Sequence, residues 1–218
     1  MRTELNELRY TLVADGSSDA SLIPILNWLL IQNGVRCPIQ PAWADLSALP
    51  LSDGSGLPDR IRNGLYYYPC DLLFVHRDAE RETRAKRVRE IHEAVADLPP
   101  GLSPTFVCVI PIRMQEAWLL IDEAAIKSAA GNRRYDGPLD PPPIADMEGV
   151  PDPKELLHRL LRQASDLNRR RQRSFSVGRH ALRVTEFIED FTPLRQLSAF
   201  VALETEVKSA IRANDWHL

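Results

Sequence analysis

The sequence is poor in cysteine, in glycine and in long apolar runs. Its 218 residues include three cysteines and ten glycines. The cysteines Cys37, Cys70 and Cys108 form no CxxC pair, which argues against a zinc knuckle and favours a reduced, cytoplasmic chain. The longest apolar run, LIPILNWLLI, is about half of the ~20 residues that a membrane helix needs. The sequence therefore predicts a cytoplasmic protein without membrane association.

An excess of basic charge is also lacking. The formal net charge is −3, and the amino-terminal residues MRTELNELRY contain no apolar core of the kind found in signal peptides. This charge argues against a histone-like protein that binds nucleic acid over its whole surface. It leaves open an enzyme with a local basic groove.

Apolar runs and amphipathic segments alternate along the first part of the chain. Four strands are predicted from RYTLVADG, VRCPIQPAWADL, CDLLFV and TFVCVIPI, and each is followed by a segment with helical periodicity. The helical segment after the first strand covers residues 17–34, and a flexible loop is predicted before the helix that follows the second strand. Alternation of this kind indicates an α/β fold with a mostly parallel sheet of about four strands and helices on both faces.

A change in composition divides the chain into three parts. Residues 1–130 form the predicted α/β core, and residues 131–153 contain six prolines and are predicted to be an irregular loop. Residues 154–218 contain three further helical patterns, at residues 154–167, 178–191 and 193–214. We interpret them as a helical extension packed on the core.

Acidic side chains follow the predicted strands. Asp15 comes after the first strand, and Asp78 and Glu80 follow the strand CDLLFV with one residue between them. Because the carboxyl ends of parallel strands meet at one edge of the sheet, these carboxylates are candidate ligands of Mg²⁺ or Mn²⁺. Without a metal, Asp15 is explained by turn formation and helix capping. Asp78 and Glu80 are then explained as solvent-exposed residues after the end of a strand. Arg77 would complement the acidic residues or contact a phosphate, whereas His76 is interpreted as structural.

Two further patterns contain candidate functional residues. Glu116 opens the predicted helix MQEAWLLIDEAAIKSA beside Trp118. It either complements the helix dipole or acts as an acid or base with a raised pKa, near Lys154 of the DPKELL segment. The run NRRRQRSF concentrates positive charge and is either a solvated loop or a set of contacts to nucleic-acid phosphates. Its arginines are Arg169, Arg170, Arg171 and Arg173.

The motifs LVADGSSD, LLFVHRDAE, IPIRMQEAWLLID, DPKELL and RSF occur in this order and resemble bacterial Toprim-like proteins of unknown function. That class includes the nuclease subunit of phage-defence systems that pair an ATPase with a Toprim effector. The resemblance covers about residues 9–205, and EAWLLID and DPKELL are its most specific parts.

The resemblance implies a Toprim-like sheet, Mg²⁺ and chemistry at phosphodiester bonds. Toprim domains carry a Glu after the first strand and a DxD after a later one. By position, Asp15 stands for the Glu, and Asp78 and Glu80 stand for the DxD. The resemblance also implies a DNA or RNA substrate and an ATPase partner.

Three functional hypotheses follow. The first is a metal-dependent nuclease that serves as a phage-defence effector. The second is a degenerate Toprim-like module that binds a protein partner or nucleic acid without cutting, because an Asp replaces the Glu after the first strand. The third is a phosphatase with an aspartate nucleophile, for which the required Thr or Ser and Lys are not located in the sequence.

Overall fold

A four-stranded parallel sheet forms the centre of the first part of the fold. The computed structural model describes residues 6–46 and 56–216. The strands are β1 (Leu8–Val13), β2 (Ile39–Trp43), β3 (Leu72–His76) and β4 (Thr105–Val109). Their order across the sheet is β2-β1-β3-β4, and every neighbouring pair is parallel. The predicted α/β class with its parallel sheet is thereby confirmed.

Eight α-helices accompany the sheet in the described part of the chain. They are α1 (Ile23–Gln32), α2 (Leu57–Tyr67), α3 (Arg84–Ala96), α4 (Glu123–Ala129), α5 (Pro153–Ser165), α6 (Arg169–Gln172), α7 (Val177–Leu182) and α8 (Ser198–Ala213). Short 3-10 helices occupy Ser17–Leu22, Gln115–Leu119, Ile144–Gly149, Val184–Glu186 and Thr192–Gln196. None of the helices in the described ranges is long and apolar enough to cross a membrane.

The contacts divide the chain into two compact units. The first comprises Met1–Arg77, Glu82–Ile110 and Ala202–Leu218, and the second comprises Asp78–Arg81 and Pro111–Val201. The first unit contains the whole sheet. The division predicted from the sequence, at residues 131 and 153, stays a prediction.

The two central strands are buried over almost their whole length. Every residue of β3 is buried, and in β1 only Arg9 is exposed. Tyr10 and Phe74 meet edge to face across these strands, with ring centroids 5.1 Å apart. The Tyr10 hydroxyl donates to Asn27 Oδ1 of α1 at 2.8 Å, so the buried phenol keeps a polar partner. The continuous apolar character of these strands reflects this burial.

Both edge strands carry a feature that blocks further pairing. On β4, the outward N–H of Cys108 donates to Glu206 Oε2 at 2.9 Å, and the other oxygen of Glu206 accepts from Arg84. On β2, the N–H of Ala44 just beyond the strand points inward to Leu12 O at 2.9 Å. Because N–H groups alternate along a strand, the nitrogen of Pro41 faces outward and lacks a hydrogen to donate.

Several predicted helices are shorter or interrupted. Residues 17–34 begin with a 3-10 helix, and the α-helix starts only at Ile23, with Pro24 in its first turn. The single helix predicted over residues 114–129 is wrong. A 3-10 helix ends at Leu119, and Asp122 starts α4 by accepting the N–H of Ala125 with its side chain. Local capping therefore overrides the continuous helical periodicity.

The carboxyl-terminal pattern is broken in the same way. The helix predicted over residues 178–191 is a short α7 followed by a 3-10 helix, and the one over residues 193–214 starts as a 3-10 helix before α8. Leu197 separates the 3-10 helix Thr192–Gln196 from α8, and its backbone is extended, with φ −95° and ψ 132°. The proline-rich residues 131–153 contain one 3-10 helix and the first residue of α5. Part of the loop predicted before α2 lies outside the described residues.

Helix α2 lies close against β1 at Gly64. A Cβ added to Gly64 would lie 2.5 Å from Val13 Cγ2. We expect Gly64→Ala to lower the free energy of unfolding by about 1–3 kcal/mol, since the added methyl group overpacks the contact. Urea denaturation of the purified variant measures the change.

Gly178 of α7 provides the matched control. A Cβ there would meet nothing within 4 Å. Gly178→Ala should raise the free energy of unfolding by up to about 1 kcal/mol through helix propensity alone. Equal effects of the two substitutions would contradict the close contact at Gly64.

Candidate functional site

The segment after β3 runs beside the segment after β4. Asp78 Oδ1 accepts the backbone N–H of Gln115 at 2.9 Å. The N–H of Ala79 donates to Pro111 O at 3.0 Å, and that of Glu80 donates to Arg113 O at 2.8 Å. These bonds hold Asp78 against the start of the 3-10 helix that carries Glu116.

Two residues in these paired segments have an unusual backbone. The φ angles are 55° for Glu80 and 66° for Arg113. Left-handed conformations cost non-glycine residues roughly 1–3 kcal/mol, and they concentrate at binding and catalytic sites. The two residues are joined by the hydrogen bond from the Glu80 N–H to Arg113 O, so this strained backbone lies two residues from Asp78. Nothing in the sequence signals it.

Glu116 is a buried carboxylate with a cationic partner. Its side chain is 9% exposed, and its Oε1 lies 3.5 Å from Nζ of Lys154, which is half exposed near the start of α5. Burial raises the pKa of Glu116 above its ordinary value, and the Asp78 carboxylate raises it further. Lys154 and a backbone hydrogen bond oppose this rise without cancelling it.

The residues around Glu116 serve the core. Trp118, Leu119 and Leu120 are buried. The ring of Trp118 meets that of Phe200 edge to face at 5.5 Å. Because this packing fixes the short helix, the Glu116 side chain is held in place by its neighbours.

The predicted site residues fall into two groups. The second unit brings Asp78, Glu116 and Lys154 together, with the exposed Glu80 two residues from Asp78. Within residues 6–46 and 56–216, no group of three or more His, Cys, Asp and Glu side chains is placed to hold a metal ion. The metal assignment of Asp15, Asp78 and Glu80 stays a prediction.

Asp15 lies in the first unit between two arginines. Its Oδ1 is 2.9 Å from Arg60 Nη1, and its Oδ2 is 3.1 Å from Arg77 Nε. Both carboxylate oxygens are therefore engaged by guanidinium groups. Arg77 was predicted to complement the acidic residues or to contact a phosphate. Arg60 was not predicted, and it reaches this place from α2, 45 positions away along the chain.

A buried aspartate–histidine pair lies in the same unit. Asp19 Oδ2 is 3.2 Å from His76 Nδ1, and Asp19 also accepts hydrogen bonds from the Gly16 N–H and the Ser18 hydroxyl. Burial alone would raise the pKa of Asp19, but His76 and these hydrogen bonds outweigh burial and lower it. His76 is almost fully buried at the end of β3, which fits the structural role predicted for it.

The arginine run forms a short exposed helix. α6 buries no residue, and the Asn168 side chain starts it by accepting the N–H of Arg171 at 3.1 Å. Arg169, Arg170, Arg171 and Arg173 are all exposed. Their predicted role in binding nucleic acid stays a prediction.

Comparison with known proteins does not identify a family. No family model matches the chain, and neither a curated protein nor a solved structure matches it. The resemblance to Toprim-like proteins therefore stays a prediction.

The raised pKa of Glu116 predicts a particular pH dependence of stability. A carboxyl that binds its proton more tightly when folded stabilises the fold most below its unfolded pKa of about 4.3, and this contribution is lost as the pH rises through the folded pKa. Relative to wild type, Glu116→Gln should therefore gain stability between about pH 4 and about pH 8. Thermal unfolding at the two pH values tests this.

Glu82 supplies a control of opposite sign. Its pKa is lowered by a hydrogen bond and the charge of Lys86, so Glu82→Gln should lose a little relative stability over the same pH rise. If Glu116→Gln instead lost stability with rising pH, the pair with Lys154 would outweigh the burial of the carboxylate.

Proposed function

We propose that this protein is a metal-dependent phosphodiesterase that cleaves DNA or RNA. The proposal rests on the buried Glu116 carboxylate. Its Oε1 lies 3.5 Å from Nζ of Lys154, and the negative charge of Asp78 raises its pKa. A buried carboxylate with a raised pKa next to a second acid is typical of acid–base sites.

Mg²⁺ or Mn²⁺ is the proposed cofactor. Mg²⁺ needs only one or two protein carboxylates because it keeps several waters. Asp78 and Glu80 would hold the ion. Asp15, the third ligand predicted from the sequence, pairs with Arg60 and Arg77 in the first unit. A bound cation would neutralise charge on the phosphate oxygens and lower the pKa of a bound water.

The remaining groups have their own roles. Glu116 accepts a proton from the attacking water at a carboxylate oxygen, for which a raised pKa is an advantage near neutral pH. Lys154 is half exposed and can swing from Glu116 to a non-bridging phosphate oxygen. Asp78 keeps the short helix of Glu116 in position through the Gln115 N–H.

The resemblance to Toprim-like proteins extends the proposal. It supports a bacterial phage-defence effector that works with an ATPase partner in the cytoplasm. The exposed arginines of α6, with Arg77, are the proposed contacts to the nucleic-acid backbone.

A second candidate is a module that binds a partner or nucleic acid without cutting. The environment of Asp15 favours it, since both oxygens of this carboxylate face guanidinium groups. A carboxylate neutralised in this way is a poorer metal ligand than a solvated one, and it takes the position of the Toprim glutamate.

Cleavage assays separate the two candidates. We expect plasmid DNA or tRNA to be cut with Mg²⁺ or Mn²⁺ and to survive in EDTA. Asp78→Asn should reduce the rate by at least ~100-fold, comparable to the loss of another electrostatic contact to a transition state. The asparagine oxygen can still accept the Gln115 N–H, so the fold should persist. Calorimetry should show weaker Mn²⁺ binding to this variant.

The control for this experiment is Glu82→Gln, which removes a carboxylate four positions from Asp78 that pairs with Lys86. It should cut at the rate of wild type. Metal-dependent cleavage that survives Asp78→Asn would refute the assignment. Binding of nucleic acid without any cleavage would support the second candidate.

The arginines of α6 make a separate prediction. Replacing Arg169, Arg170 and Arg171 with alanine should leave the unfolding temperature nearly unchanged, because α6 buries no residue. Nucleic-acid binding should weaken, and the slope of log K against log salt should fall by up to about one unit per lost contact. An unchanged slope would indicate that the run is only a solvated surface helix.

A further inference from the structure

The carboxyl ends of β1 and β3 carry two arginines around one accessible carboxylate. Asp15, just beyond β1, is 51% exposed, while Arg77, just beyond β3, and Arg60 of α2 are 24% and 25% exposed. The two guanidinium groups thus hold a carboxylate that solvent can reach. All three residues belong to the first unit.

This place is the topological switch point of the sheet. The order β2-β1-β3-β4 means that the chain leaves β1 toward one side for β2 and then returns to the other side for β3. The loops after β1 and β3 therefore separate, and open α/β sheets bind ligands in the crevice that this leaves beyond their carboxyl ends. Asp15 and Arg77 flank this crevice.

Both guanidinium groups are held in position by contacts other than Asp15. Arg60 donates from Nη2 to Ala14 O at the end of β1. Arg77 Nη1 lies 3.7 Å from Glu90 Oε2 of α3, which also pairs with Arg87 at 3.0 Å. The close approach of α2 to β1 at Gly64, one turn after Arg60, fixes the reach of that side chain. Loss of Asp15 would leave the two arginines anchored.

We propose that Arg60 and Arg77 form a binding site for a phosphomonoester, and that Asp15 is its internal competitor. Paired guanidiniums match the oxygens of a phosphoryl group through bidentate hydrogen bonds. A phosphomonoester is close to dianionic at neutral pH, so it outcompetes a single carboxylate more readily than a phosphodiester does. The phosphoryl group belongs to a mononucleotide or to the end of a nucleic-acid strand.

The site shares Asp15 and Arg77 with the groups predicted for metal and nucleic-acid binding, but phosphate binding needs neither a metal nor cleavage. It uses neither Glu116 nor Lys154, and its ligand is bound rather than cut. Metal-free binding therefore tests the site alone, and Asp78→Asn should bind phosphate as wild type does. A failure of binding would leave the proposed nuclease activity standing, and the reverse also holds.

The experiment is calorimetric titration of inorganic phosphate at low ionic strength, without divalent metal. Asp15→Asn should tighten phosphate binding by roughly 2- to 30-fold, the gain from releasing two exposed ion pairs. Arg60→Gln and Arg77→Gln should each weaken it by roughly 10-fold, the loss expected for one charge-assisted contact. Circular dichroism of each variant checks that it is folded.

Asp59→Asn is the matched control, since Asp59 pairs with Arg62 on the surface of the same helix α2. It removes the same charge without touching the arginine pair and should leave phosphate affinity unchanged. An equal gain in Asp59→Asn and Asp15→Asn would overturn the proposal, because the effect would then be one of general charge. Absence of phosphate binding in Asp15→Asn would overturn it as well.

Two further ligands distinguish the sources of the phosphoryl group. Adenosine 5′-monophosphate represents the mononucleotide and is compared with adenosine. A 5′-phosphorylated oligonucleotide is compared with its 5′-hydroxyl form. A preference for either phosphorylated ligand that is lost in Arg77→Gln supports the site and names its source. If neither shows such a preference, the proposal is overturned.

Discussion

The parallel pairing of β1 with β3 at the centre of the sheet is the constraint on which the placement of Asp15 and Arg77 depends. Because both strands are buried, their register is fixed by packing, and Tyr10 and Phe74 meet across it. The carboxyl ends of parallel strands lie at the same edge of the sheet. The loops that follow therefore carry Asp15 and Arg77 to one end of the sheet in the first unit. Loops after buried parallel strands are where such folds place polar groups without exposing the core.

The two acidic positions experience opposite environments. Asp15 is accessible and has a guanidinium group on each oxygen, so its charge is well compensated. Glu116 is buried with one lysine at 3.5 Å, and burial dominates its titration. Exposure with two cationic partners and burial with one partner are thus found at two carboxylates of the same chain.

Much of the fold could be predicted from the sequence, because continuous apolar runs report burial on both faces of a strand. The pattern also led to Asp15, Asp78 and Glu116 as residues that follow strands. It could not give Arg60, whose approach depends on how α2 packs on β1 at Gly64. Nor could it give the left-handed backbone at Glu80 and Arg113, since neither residue type favours that conformation. The sequence pattern also did not give the break before α4, because the start of this helix is set by the Asp122 side chain, which accepts the N–H of Ala125.

The blocked edges of the sheet also limit how the protein can assemble. Glu206 takes up an outward N–H of β4, and Pro41 of β2 has none to offer. A strand from another molecule would therefore meet a charged side chain on one side and a missing hydrogen-bond donor on the other. Repeated addition of strands, the route by which exposed β-edges form fibrils, is therefore disfavoured at both edges of the sheet. Association through these two described strands is therefore less favourable than association through side-chain surfaces of helices and loops, where specificity can be encoded residue by residue.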